Sequence, residues 1–182
     1  MKGNITSKKI AITALLTACA LIAFSIENLF PPLFIPGARL GLSNIFILLA
    51  IFTVGNGYAI LVFLIKVVLG SLFAGNISAM LYSLPAGLIA LTVQIIVIKT
   101  GKFSVVSASV LGSVINLTLQ NIVFCLVTNT LQFLIYSPYL ALIGCVAGLI
   151  VGLAVFGSLK ALPKILLVKK QANDLEDSHS EH

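Results

Sequence analysis

Long apolar stretches, each closed by a short cluster of Gly, Pro, Asn or charged residues, recur along the chain. They predict six helices at residues 9–28, 40–54, 58–74, 79–98, 104–128 and 139–160. The second and third runs are short, about 15 and 17 residues, or roughly 22–26 Å at ~1.5 Å per residue, against a bilayer core of ~30 Å. Re-entrant or locally buried ends are expected there. Between the first two helices, Leu29-Phe30-Pro31-Pro32-Leu33-Phe34-Ile35-Pro36-Gly37 cannot be helical throughout. Proline lacks the amide donor and restricts the residue before it. A loop this apolar sits poorly in water, so it is expected at the membrane interface or folded over the bundle as a lid.

The fold class this predicts is all-α: a polytopic membrane protein, a six-transmembrane-helix bundle over residues 9–160. It is preceded by a basic segment at 1–8 and followed by a polar tail at 161–182. Composition supports the pattern, since 59% of residues are hydrophobic and 9% charged, whereas soluble domains carry ~25% charged residues. Six segments in 182 residues leave no room for a separate soluble catalytic domain. Any activity must sit in the bundle.

Charge placement orients the bundle. Lys2, Lys8 and Lys9 precede the first helix, Lys99 and Lys102 join the fourth to the fifth, and Lys160, Lys164, Lys169 and Lys170 follow the sixth. The opposite loops hold only Arg39. The positive-inside rule therefore puts the N- and C-termini in the cytoplasm. The tail from Gln171 to His182 holds Asp174, Glu176, Asp177 and Glu181 and no apolar run, so it is expected to be disordered. Leu16-Thr17-Ala18-Cys19 resembles a lipoprotein cleavage box, but the apolar run continues through Ala20-Leu21-Ile22-Ala23-Phe24, and one uncleaved helix is the better reading.

Several chemistries lack their residues. Cys19, Cys125 and Cys145 are odd in number, widely spaced and within apolar segments, which fits packing rather than disulfides or a metal knuckle. Both histidines, His179 and His182, and both aspartates, Asp174 and Asp177, lie in the tail. The membrane region thus offers no histidine for metal ligation or base catalysis, and no aspartate cluster to hold Mg²⁺ on a diphosphate. There is no Gly-x-x-x-x-Gly-Lys-Ser/Thr loop for ATP, so energy for transport would come from a partner or an ion gradient. No catalytic residue, metal, cofactor or nucleic-acid partner is expected.

Against this background the polar residues inside the apolar runs stand out. Lys66, within Phe63-Leu64-Ile65-Lys66-Val67-Val68-Leu69, is costly in a membrane unless hydrated or paired. Its expected partner is Glu27. The two either contact a ligand or simply pin two helices together. Arg39 and Asn44 flank the start of the second helix in Pro36-Gly37-Ala38-Arg39-Leu40-Gly41-Leu42-Ser43-Asn44. Free N–H groups, glycines and a guanidinium there suit an anion, although a capped helix entrance with Arg39 at the headgroups is the competing reading. In the fifth helix Asn116 and Gln120 share a face and Asn121 is offset by about 100°, which suits either ligand recognition or interhelical hydrogen bonds. Asn76 and Tyr82, near the connection of the third and fourth helices, are weaker candidates with ordinary loop and interface roles available.

Small residues form two ridges. Ala14 and Ala18 make an Ala-x-x-x-Ala pair extended by Ala11 and Ser25, and Gly144, Gly148 and Gly152 make a doubled Gly-x-x-x-Gly. Both imply close approach of another helix, in this chain or in another subunit.

The blocks Pro36-Gly37-Ala38-Arg39-Leu40-Gly41-Leu42-Ser43-Asn44-Ile45, Lys66-Val67-Val68-Leu69-Gly70-Ser71-Leu72 and Tyr82-Ser83-Leu84 resemble the Gx transporter family. Its members are often labelled heptaprenyl diphosphate synthase component I, and it is similar to the substrate-binding S components of energy-coupling factor (ECF) transporters. The likeness covers roughly residues 8–160. It implies a pocket opening outward beneath the first outer loop, lined by Glu27, Arg39, Asn44, Lys66, Asn116 and Gln120. It also implies that Ala14 and Ala18 dock a transmembrane coupling subunit driven by two cytoplasmic ATPases, in a bacterial cell membrane. In that pattern a His-Asn pair precedes the glutamine, whereas this chain has Asn116 near that point.

Two functions follow as expectations. The first is a capture subunit that takes a small molecule, such as a vitamin or cofactor precursor, from outside. The second is a membrane accessory of heptaprenyl diphosphate or menaquinone side-chain synthesis, in which Arg39 and Lys66 hold an isoprenyl diphosphate.

Overall fold

The computed structural model describes residues 2–29, 41–75 and 77–161, with side chains from residue 7 onward. The apolar loop expected as a lid, Arg39, Asn76 and the polar tail lie outside the described residues. Within them the chain is helical apart from short connections: α1 (Lys2–Asn28), α2 (Asn44–Thr53), α3 (Asn56–Phe73), α4 (Ile77–Lys99), α5 (Val105–Thr128) and α6 (Ser137–Ala161). A single 3-10 segment, Leu131–Tyr136, precedes α6. Five of these helices are long and apolar enough to cross a membrane, α2 being the exception. The chain is a multi-pass membrane protein.

The boundaries differ from the sequence pattern in three places, each with a physical cause. First, α1 begins at Lys2 rather than residue 9, because a helix can run on past the bilayer with its backbone bonds intact. Its threonines bond within the helix: Thr13 Oγ1 donates to the Lys9 carbonyl and Thr17 Oγ1 to the Thr13 carbonyl, both at 2.7 Å. Second, α2 starts four residues late. Gly41 takes a left-handed conformation at φ 78°, which keeps the chain out of the helix at that point, and the Leu42 amide beyond it donates to the Glu27 carboxylate at 2.6 Å. The ten residues of α2 rise only about 15 Å, half of a ~30 Å core. Third, the connection before α6 contains the 3-10 segment, which its mostly apolar Leu-Gln-Phe-Leu-Ile-Tyr sequence does not announce by period. Asn121 holds it, donating to the Phe133 carbonyl at 3.1 Å and to Ser137 Oγ at 3.0 Å.

Packing follows small residues. The Gly144, Gly148 and Gly152 ridge lies on α5: a Cβ on Gly148 would stand 2.5 Å from Val110 Cα, and one on Gly144 2.9 Å from Val114 Cα. This ridge is therefore an internal helix seam. The Ala11, Ala14, Ala18 and Ser25 ridge instead faces outward, while Thr13, Thr17, Ala20 and Phe24 of the same helix are buried. The core joins both halves of the chain. Ala20, Ile47, Leu48, Ile51, Val62, Phe63, Leu91 and Val155 form one buried cluster drawn from α1, α2, α3, α4 and α6.

Candidate functional site

Because α2 is only half as deep as its neighbours, its entrance ends inside the bundle rather than at its rim. It is there that α1 and α3 deliver their charges. Glu27, one residue before the end of α1, accepts from the Leu42 amide with Oε1 and from the Ser43 hydroxyl with Oε2 at 3.3 Å. Lys66, in the middle of α3, donates from Nζ to Asn44 Oδ1 at 3.1 Å. These hydrogen bonds tie both charges to three consecutive residues at the α2 entrance, Leu42, Ser43 and Asn44. Glu27 and Lys66 are each only 7% exposed. The Lys66 ammonium also lies 5.7 Å from the Phe24 ring centre and 6.0 Å from that of Phe63, within reach of cation–π attraction.

Facing this cluster, α4 and α5 run antiparallel and each presents one polar stripe. On α4 it is Ala79, Ser83, Gly87, Ala90 and Gln94; on α5 it is Gly112, Asn116 and Gln120. The spacing of three and four residues keeps each set on one face. Gln120 Nε2 donates to Ser83 Oγ across the two helices, while Gln94 folds over Gly112, where a Cβ would meet its Nε2 at 2.0 Å. The absence of a side chain at Gly112 thus makes the berth for Gln94.

Together the two sides line a partly open cavity of about 80 Å³, space for several waters or a small polar ligand. Five of the six residues expected at a binding site, Glu27, Asn44, Lys66, Asn116 and Gln120, line it. Arg39 lies outside the described residues. Asn121, offset from its neighbours as the helical period requires, serves the 3-10 segment instead. Tyr82 packs edge-on against Phe124 with ring centres 5.5 Å apart, in an aromatic contact that continues to Phe133 at 5.6 Å.

Ser43, Ser83 and Gln94 also line the cavity, although none of them carries a charge or a contrast that marks it as a site residue in the sequence. A signal exists for two of them. Ser83, Gly87, Ala90 and Gln94 fall at i, i+4, i+7 and i+11, a stripe of small and polar residues along one face of a mostly apolar helix.

Compared with known families, residues 16–157 match the model described as "Heptaprenyl diphosphate synthase component I". No curated protein and no solved structure matches the chain significantly.

Proposed function

This chain belongs to the heptaprenyl diphosphate synthase component I family, and from that premise we propose that it is a membrane-embedded substrate-capture subunit, similar to the S components of ECF transporters. It would bind a small molecule from outside and release it inward when partner ATPases drive a coupling subunit. One observation carries this reading: helices α1 to α5 all contribute to a polar cavity within an apolar bundle. A charge at the middle of a membrane helix costs ~2.5–3.5 kcal/mol on insertion scales, and the buried Lys66 recovers that cost best where it meets water or a ligand.

The remaining parts of the proposal follow from it. Glu27, Asn44, Lys66, Asn116 and Gln120 line the site, and in this proposal Arg39 adds a second cation toward an anionic or amide-rich ligand. The exposed Ala14 and Ala18 of α1 offer a smooth face for the coupling subunit. Both termini lie in the cytoplasm of a bacterial cell, and the chain itself catalyses nothing.

The family description favours a second reading, in which the protein is an accessory to prenyl diphosphate synthesis. Lys66 suits a diphosphate. The cavity of about 80 Å³, however, has no room for a polyprenyl tail, which would have to lie outside it among lipids. The two readings separate on purification of the tagged protein from its native membranes in mild detergent, with co-purifying proteins identified by mass spectrometry. A transmembrane coupling subunit with two ATPases is expected. A prenyl synthase recovered without any ATPase would replace the transport reading with the accessory one.

A further inference from the structure

Four side-chain amides on α4 and α5 lie at or beside the cavity, and the structure puts them to two different uses. Gln120 is committed to Ser83, and Asn121 to Phe133 and Ser137. These two hold helices and the 3-10 segment in place. Asn116 and Gln94 both line the cavity, and neither makes a side-chain hydrogen bond among the described residues. Amides serving interhelical packing would be bonded across the helices, as their neighbours are.

The placement of the open pair is specific. Gly112 and Asn116 are four residues apart on α5, so Gln94, lying over Gly112, sits one helical turn, about 6 Å, below Asn116 on the same wall. Each carboxamide offers N–H donors and a carbonyl acceptor. Asn116 Oδ1 lies beside Gly87, where the Phe63 ring also packs, so the wall has an aromatic neighbour. The opposite wall carries Lys66 and Asn44, already bonded to each other.

We infer that Gln94 and Asn116 form a hydrogen-bonding wall that selects a small ligand with adjacent N–H and carbonyl groups, a ureide or cyclic amide, with Gln94 a specificity-determining residue. This rests on the reading of the cavity as a ligand site. It adds the ligand's chemical class and a binding residue on α4. A ring of that kind would set its amide edge on α4 and α5 and any anionic substituent toward Lys66, with the cavity of about 80 Å³ widening to admit it. A purely apolar acid would leave both carboxamides without partners and shielded from water.

The test uses the full chain in detergent with three probes: uracil-6-carboxylate, uracil and benzoate. Titration calorimetry should show uracil-6-carboxylate binding at least ten-fold more tightly than benzoate, with uracil in between. Gln94→Leu and Asn116→Leu should each reduce that preference about ten-fold, mainly by weakening uracil-6-carboxylate. Gly112→Ala, which keeps Gln94 but pushes its head out of its berth, should act as Gln94→Leu does, with the fold checked by its melting temperature. Benzoate binding as tightly as uracil-6-carboxylate, an unchanged preference in Gln94→Leu, or no binding of any probe would overturn the inference. Co-purification of ATPases is independent of all three outcomes, so the ligand class can fail while the transport reading stands, and the reverse.

Discussion

Glu27 illustrates how one side chain can belong to both the fold and the site. Its carboxylate takes the Leu42 amide, which the late start of α2 leaves outside the helix, and the Ser43 hydroxyl beside it. Glu27→Ala should therefore lower stability by about 1–3 kcal/mol, the cost of leaving a buried donor unmet, whereas Glu27→Gln keeps an acceptor and should lose less. Chemical unfolding in detergent reads the difference. Asn116 and Asn121 make the complementary pair. Asn121→Leu should destabilise the protein by roughly 1–3 kcal/mol because two hydrogen bonds to the connection before α6 go, while Asn116→Leu should leave unfolding nearly unchanged. At this scale the sequence was informative where a residue contrasts with its surroundings. Lys66 in an apolar helix, or two amides four residues apart, can be seen without coordinates. Gln94 cannot be seen alone, because its importance comes from an absent side chain on another helix, Gly112.

Among the helices, the apolar pattern shows length but not depth. It marks α2 and α3 as short, yet α3 has the length to span while α2 falls to ten residues, beginning only after the left-handed Gly41, where the Glu27 carboxylate of α1 takes the Leu42 amide. The glycine ridge of α6 is legible as a close-packing face, but only the structure shows that α5 fills it. A larger residue there should act on that seam. Gly148→Leu brings a side chain against the Val110 backbone and should cost about 1–3 kcal/mol or more, as overpacking does, whereas Gly157→Ala, with nothing within 4 Å, should unfold like the native protein. Equal melting temperatures for the two variants would show that the seam yields more easily than its geometry indicates.

For the whole molecule, charge and connectivity agree. Helices alternate in direction, so the starts of α1 and α5 and the ends of α4 and α6, with Lys8, Lys9, Lys99, Lys102 and Lys160, share one end of the bundle. If that end is cytoplasmic, a cysteine placed at Lys102 in a cysteine-free background should resist membrane-impermeant maleimide in intact cells, and one at Thr130 should label; the reverse pattern would invert the protein. The cavity lies between the α1–α3 and α4–α5 walls, which makes its occupancy the most direct measure of the account. Native mass spectrometry of the protein released from detergent should show a small retained mass on the native chain. It should be missing from Lys66→Ala and from Asn116→Leu, while both variants remain folded. The same adduct on all three proteins, or none on the native chain purified from its own membranes, would contradict the cavity's role as the binding site.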